Sequence, residues 1–238
     1  MTLYNVAGLL SAITLSLPII IILALRLAWY KSFPALLTYY VLVFGHSFLT
    51  QEFINADKTF IYYYGVTNNF LDAPLILSFM TYFSKTALFR KRMQIIIPVF
   101  ILFEIIVIAI FGYNVRAATI VMAPGLLLIL IFSLLFFIHQ TKLTIIHHKA
   151  VGKAFIAASL LFAYGGYIFI YIVYYLLKTQ YRADTFLVYF LVTICSSLLI
   201  SAGIFFERKR VRQLEELQIT REELKMIYGR SETKTAAS

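Results

Sequence analysis

The stretch QIIIPVFILFEIIVIAIFG, residues 94–112, contains one charged residue, Glu104, in an otherwise apolar run. About 20 residues of α-helix cross a hydrocarbon core that is about 30 Å thick. Six further runs have a similar length and composition, namely residues 4–29, 33–53, 60–84, 117–138, 152–177 and 185–206. This pattern predicts an all-α, polytopic membrane protein in which a bundle of seven transmembrane helices occupies residues 1–206.

The composition of the whole chain excludes an ordinary water-soluble domain. Hydrophobic residues make up 61% of the 238 residues and charged ones 13%, and the mean hydropathy is +0.86. The apolar runs are continuous rather than alternating, which excludes a closed barrel. The first run is too long for the apolar region of a signal peptide, so we expect an uncleaved first helix. The single cysteine, Cys195, rules out a disulfide within the chain.

Positive charge is distributed unequally between the two ends of the predicted helices. Thirteen Lys and Arg residues fall on the side that follows helices one, three, five and seven. The other side has four, which are Lys58, Arg116, Lys178 and Arg182. The positive-inside rule predicts an outside N-terminus and a cytoplasmic C-terminus, in a multi-pass protein of the plasma (inner) membrane. Anionic membrane lipids account for the net charge of +10, so lipids and not nucleic acid are the expected partners.

Polar side chains at membrane depth are the candidates for function, because they are costly in hydrocarbon. On helix three, Asn68 and Asn69 stand four and three residues before Asp72 and therefore share its face. Glu104 lies halfway along helix four, and His46 is the histidine of helix two. We predict that these five residues form a ligand-binding pocket in the outer half of the bundle. The alternative for each carboxyl is a neutral, hydrogen-bonded group that joins two helices.

The sequence offers no constellation for catalysis or for metal binding. His139, His147 and His148 lie at or beyond the cytoplasmic end of helix five, while His46 is near the opposite face. A three-histidine zinc site would need its ligands at one depth. The serines of helix seven have no base at matching depth, and close helix packing explains them better. We therefore predict no catalytic residue and no metal ligand, and an enzyme is the less favoured interpretation.

Two further patterns bear on the shape of the helices and on their ends. The tyrosine groups Tyr39–Tyr40, Tyr62–Tyr64 and Tyr174–Tyr175 are placed near predicted helix ends, as is typical of the aromatic belt at a membrane interface. The alternative is that a minority of the aromatic residues line a pocket. Four prolines fall inside four different helices, where each removes a backbone hydrogen bond and favours a kink. These are Pro18, Pro74, Pro98 and Pro124.

Residues 68–77, NNFLDAPLIL, resemble the third helix of the microbial rhodopsins. In that family a polar counter-ion position precedes a Pro-Leu pair by six residues, with a second polar position between them. Asn68, Asp72 and Pro74–Leu75 match this pattern, which implies a rhodopsin-like seven-helix bundle. Residues 185–206 contain no Lys, so the Schiff base that defines the family cannot form there and covalent retinal is not expected. The cofactor is unknown.

Residues 207–238 form a polar segment that we expect to be a cytoplasmic tail. Leu214, Leu217 and Leu224 fall on a and d positions of short heptads, which predicts an amphipathic, coiled-coil-like helix that binds a partner or a second copy. The tail resembles the linker that joins membrane sensors to histidine kinases. We expect helix seven to continue into this segment, while Thr220 and Glu223 fit a capping box, which would instead start a new short helix there. The alternative is an amphipathic tail lying on anionic lipid.

Together these features favour a receptor-like sensor that acts in signal transduction. It would bind a small or lipophilic ligand in the outer half of the bundle and signal through its tail to a separate cytoplasmic partner. One alternative is a proton-coupled transporter that uses Asp72 and Glu104. The other is a membrane-embedded lipid-modifying enzyme.

Overall fold

The computed structural model describes residues 3–51, 53–81, 87–147, 151–173 and 182–235. These residues form seven helices and no strand: α1 (Leu3–Ala24), α2 (Phe33–Thr50), α3 (Lys58–Met80), α4 (Ala87–Phe111), α5 (Val115–His147), α6 (Val151–Tyr171) and α7 (Arg182–Thr235). The predicted all-α fold with a helical membrane bundle is confirmed. His148 and the pair Tyr174–Tyr175 lie outside the described residues.

The helices form a closed ring. Each helix packs against the next one in the chain, and α1 packs against α7. The polar helix α3 also contacts α5, so that it has packing partners on three sides, α2, α4 and α5. This arrangement surrounds α3 with more protein than a helix of a simple ring would meet.

Six of the helices are long and apolar enough to cross a membrane. Their outer surfaces carry large exposed apolar side chains, and on α4 these form one stripe at helical spacing: Ile95, Val99, Leu102 and Ile106. Soluble proteins rarely expose contiguous apolar patches of this kind, because water solvates them poorly. The stripe therefore faces lipid, in agreement with a multi-pass membrane protein.

α3, which carries Asn68, Asn69 and Asp72, is not among these six helices. Its 23 residues span about 34 Å, which is sufficient for a crossing. Its polar residues lower its hydropathy, while Val66, Phe70, Ile76 and Leu77 bury its apolar side inside the bundle. The chain thus keeps its most polar helix among its neighbours.

Several predicted helix bounds were wrong, and among them the fourth helix begins at Ala87 and not at residue 94. The first helix ends at Ala24 and not near residue 29, because the chain reverses direction before α2. In this turn Arg26 and Lys31 adopt φ values of 55° and 49°, and Trp29 is 93% exposed. The fifth helix continues to His147, since backbone hydrogen bonds extend a helix beyond its apolar run. All four prolines lie inside helices, as predicted.

The prediction of a new helix at Thr220 was also wrong. α7 is a single helix of 54 residues, about 80 Å long, that includes Thr220 and Glu223 in its interior. The Thr220 hydroxyl donates a hydrogen bond to the Glu216 carbonyl at 2.9 Å, which is a bond within a continuing helix and not a cap. The bundle and the tail segment therefore share one uninterrupted helix.

α6 and α7 cross in backbone contact near the start of α6. A Cβ atom added to Gly152 would lie 2.5 Å from the Glu207 backbone nitrogen and 2.7 Å from the Gly203 carbonyl oxygen. A Cβ atom on Gly203 would lie 2.9 Å from the Gly152 carbonyl oxygen. Only glycine fits at both positions, so this small-residue contact sets the distance between the two helices there.

Candidate ligand-binding cavity

A cavity of about 140 Å³ lies between α2, α3, α5, α6 and α7. It is placed where α6 ends and α7 begins, at the opposite end of this helix pair from the glycine contact. Its lining is Tyr39, Val43, Asn68, Asn69, Asp72, Met122, Leu126, Tyr167, Ile170, Tyr171 and Tyr189. The lining combines one carboxyl group, two amides and four tyrosines with the apolar side chains of Val43, Met122, Leu126 and Ile170.

Within the part of the chain that the structure describes, Asp72 is the only formally charged residue of this lining. Its Oδ1 atom accepts a hydrogen bond of 2.7 Å from the hydroxyl of Tyr164, a side chain that is 1% exposed. Among the described side chains no Lys, Arg or His forms an ion pair with Asp72. The carboxyl group is thus held by a neutral donor on one side and faces the cavity without a cationic partner from the described chain.

The tyrosines of α6 and α7 form one connected aromatic wall. Tyr167 stacks on Tyr189 with ring centroids 5.8 Å apart, and Tyr164 meets Tyr167 edge to face at 5.7 Å. The Tyr167 hydroxyl lies 3.5 Å from the Thr193 hydroxyl, and the Tyr171 hydroxyl donates to the Thr119 carbonyl at 3.3 Å. These contacts fix the rings, because each one has both a packing partner and a polar partner.

The cavity brings together three of the predicted site residues. Asn68, Asn69 and Asp72 all line it, which agrees with the prediction that they share one face of the third helix. Their helix α3 presents this face to α2, α5, α6 and α7 across the cavity. That the three residues bind a ligand stays a prediction.

Glu104 lies next to the cavity but is not part of its lining. Its side chain on α4 is 6% exposed, and its Oε1 atom has no hydrogen-bond partner among the described residues. It is close enough to Asp72 for the two carboxyl groups to interact electrostatically. The expectation that the carboxyls of helices three and four approach each other is consistent with this contact.

His46 does not line the cavity and packs between α2 and α3 instead. Its ring is stacked on Tyr64, with centroids 6.1 Å apart and an angle of 14°. Gly45 and Gly65 make room for this pair, since a Cβ atom there would lie 2.5 Å from the Tyr64 hydroxyl and 2.9 Å from His46 Nε2. In the structure His46 is therefore a packing residue of the α2–α3 interface.

The sequence allowed for a minority of aromatic residues in a pocket but did not identify those that line the cavity. Tyr39 and Tyr40 were assigned to an interfacial belt, but both are buried, at 9% and 5% exposure, and Tyr39 lines the cavity. A usable signal existed on α6, where Tyr164, Tyr167 and Tyr171 follow each other at helical spacing. An aromatic face of this kind beside two glycines is unusual for a side that meets lipid tails.

The described residues contain no group of three or more His, Cys, Asp or Glu side chains that could hold a metal ion. Comparison with known proteins adds no relative. A scan of protein-family models, a search of curated proteins and a search of solved structures each returned no match. The cavity and its surroundings are therefore the basis for any functional proposal.

Proposed function

We propose that this chain is a seven-transmembrane sensor that binds a small ligand in the cavity at Asp72 and signals through its tail to a separate cytoplasmic partner. The cavity provides polar groups of three kinds in a largely apolar setting, which is the general character of a ligand site. Its volume favours a small molecule over a long lipid chain.

The observation that carries this proposal is the continuity of α7. This helix contributes Tyr189 to the cavity wall and runs without a break to Thr235. A change in the position of Tyr189 on ligand binding is therefore transmitted along hydrogen-bonded backbone to the tail. No additional joint is needed between the site and the output segment.

The proposed orientation of the chain in the membrane rests on the distribution of Lys and Arg. With the N-terminus outside, the end of the bundle where α6 finishes and α7 starts lies in the outer leaflet. The cavity would then sample ligands from outside or from the outer half of the membrane. The tail, with the exposed side chains of Leu217 and Leu224, would stand in the cytoplasm and meet its partner there.

Native mass spectrometry of the full chain purified in detergent tests the ligand part. We expect a bound small molecule on the wild-type chain that Asp72→Asn releases, because this variant removes the charge but keeps an oxygen acceptor for Tyr164. Asp57→Asn is the matched control, since Asp57 precedes the same helix and is exposed. A bound molecule that is retained equally by both variants would contradict the proposal.

Deletion of residues 207–238 tests the output part. Binding should persist in the truncated chain, because no described tail residue lines the cavity, while association with a cytoplasmic partner should be lost. Loss of ligand binding as well would show that the segment is structural and not an output element.

A second candidate, a proton-coupled transporter, is favoured by one specific observation. Glu104 is buried, its Oε1 atom lacks a described hydrogen-bond partner, and it interacts with Asp72, as two members of a proton relay would. In proteoliposomes Asp72→Asn and Glu104→Gln should each abolish proton-coupled uptake. Unchanged flux in both variants would eliminate this alternative.

A further inference from the structure

We propose that the cavity is a receptor site for a small organic ammonium ion, with Asp72 as its counter-charge and the tyrosines as an aromatic enclosure. This inference rests on the proposed function and adds the chemical class of the ligand. It follows from the charge, the aromatic content and the size of the cavity, which are independent of one another.

The charge of the lining selects for a cation. Asp72 contributes one carboxylate, and among the described residues that line the cavity none is Lys, Arg or His. An ionised carboxylate away from water is unfavourable unless an opposite charge or several hydrogen bonds offset the loss of hydration. The described partner of Asp72 is the hydroxyl of Tyr164, which supplies one such bond. A cationic ligand would provide the missing charge.

The aromatic side chains select for a particular kind of cation. Tyr39, Tyr167, Tyr171 and Tyr189 surround the space that Asp72 faces. Aromatic rings attract ammonium groups through the negative potential of their faces, and cages of such rings recognise methylated ammonium ions. A hydrated metal ion would gain little from four rings, whereas an organic ammonium group replaces part of its hydration shell with them.

The size of the cavity limits the ligand. A dry cavity of about 150 Å³ accommodates a molecule the size of benzene, and the present cavity measures about 140 Å³. Choline and ethanolamine are of this order, while a phospholipid or a retinoid is far larger. Asn68 and Asn69 add amide groups to the same wall, and these are suited to a hydroxyl or N–H group next to the ammonium centre.

Isothermal titration calorimetry on the full chain in lipid nanodiscs tests the ligand class. The probes are choline, ethanolamine and 3,3-dimethylbutan-1-ol, which has the shape of choline without its charge. We expect at least one of the two ammonium compounds to bind, and the neutral alcohol to bind at least about thirtyfold more weakly than choline if choline binds. Absence of binding by both ammonium compounds at millimolar concentration, or equal binding of choline and the alcohol, would overturn the proposal.

Substitutions test separately the two recognition elements, which are the charge of Asp72 and the aromatic ring of Tyr189. Asp72→Asn should weaken ammonium binding by at least about thirtyfold, whereas Asp57→Asn at the exposed start of α3 should leave it unchanged. Tyr189→Phe keeps the ring and should retain the affinity within about twofold, while Tyr189→Leu should reduce it about fivefold or more. Equal affinities of the Phe and Leu variants would remove the aromatic part of the proposal. A melting curve for each variant excludes misfolding as the cause of any loss.

The experiments distinguish failure of the ammonium-ligand proposal from failure of the sensor proposal. If a neutral molecule binds in place of the ammonium probes and Asp72→Asn releases it, the ligand class is wrong and the site is right. If choline or ethanolamine binds with the expected dependence on Asp72 but the tail lacks any partner that responds to it, the ligand class stands and the sensor proposal fails.

Discussion

The two ends of the α6–α7 pair differ in what separates the helices. Near the start of α6, Gly152 and Gly203 bring the two backbones into direct contact. Toward the end of α6, side chains hold the helices apart, with Tyr167 stacked on Tyr189 and a cavity beside them. The same pair of helices is thus in backbone contact at one end and separated by tyrosine side chains at the other. The large difference in size between glycine and tyrosine sets this difference in spacing.

The largest effect on the free energy of unfolding is expected at the end where Gly152 and Gly203 are in contact. Gly152→Ala should destabilise the chain by about 2–3 kcal/mol, because the new methyl group would collide with the backbone of α7 and force the helices apart. The measurement is the free energy of unfolding in mixed micelles, followed by circular dichroism.

Gly165→Ala is the matched control on the same helix. The nearest atom to a Cβ at Gly165 is Leu130 Cδ1 at 3.9 Å, an ordinary contact. This variant should be neutral or more stable by up to about 1 kcal/mol, since alanine favours helix more than glycine does. Equal destabilisation by both substitutions would show that the contact at Gly152 is not what joins the helices.

The second largest effect on the free energy of unfolding is expected at the cavity end of the α6–α7 pair. Tyr164→Phe removes the hydrogen bond to Asp72 and should lower the free energy of unfolding by about 1.5 kcal/mol. The same substitution in an Asp72→Asn background should have a smaller effect, and the two unfolding experiments together give the coupling energy. Tyr63→Phe, at a side chain that is 49% exposed, is the control and should change little. A coupling energy of zero would mean that the charge of Asp72 does not strengthen the bond, because the Asp72→Asn variant keeps an oxygen acceptor for Tyr164.

A smaller effect is expected at the α2–α3 interface, away from the cavity. Gly65→Ala places a methyl group 2.9 Å from His46 Nε2 and should destabilise the chain by about 1 kcal/mol, because the imidazole has to move. In a His46→Ala background this penalty should disappear. Ligand affinity should stay the same in all of these variants, and a change in affinity would return His46 to the binding site that the sequence predicts for it.

The smallest effect on stability is expected in the tail. Leu217 and Leu224 are 59% and 46% exposed, so changing each to Ser should alter the free energy of unfolding by less than about 0.5 kcal/mol. The sequence predicts that they bind a partner or a second copy, and cross-linking yield should therefore fall in the double variant. An unchanged yield would argue against partner binding through these leucines. The side chain of Leu214, the third predicted contact, lies outside the described set.

Local periodicity explains what could be predicted from the sequence. The seven helices follow from apolar runs, and the common face of Asn68, Asn69 and Asp72 follows from helical geometry alone. These features depend on residues that are near each other in the chain. Their presence in one cavity agrees with that local reasoning.

What could not be predicted depends on contacts between distant segments. The tyrosines of α6 and α7 become a cavity wall only because these helices face α3 across the cavity. Tyr39 looked interfacial because its place near the start of α2 does not show which distant helices its ring meets. His46 was placed in the pocket from its depth, whereas its direction depends on the space left by Gly65. The end of α1 was missed because a turn can be as apolar as the helix before it.

The length of α7 gives the glycine contact a mechanical consequence. Gly203 acts as a fulcrum: Tyr189 lies about 21 Å from it on one side, and Thr235 about 48 Å from it on the other. A rigid rotation about this point moves the far end of the helix slightly more than twice as far as the end at the cavity. If the proposed sensor function holds, α7 would act as a lever that enlarges an ångström-scale displacement at the tyrosine wall into a larger one at the far end of the helix.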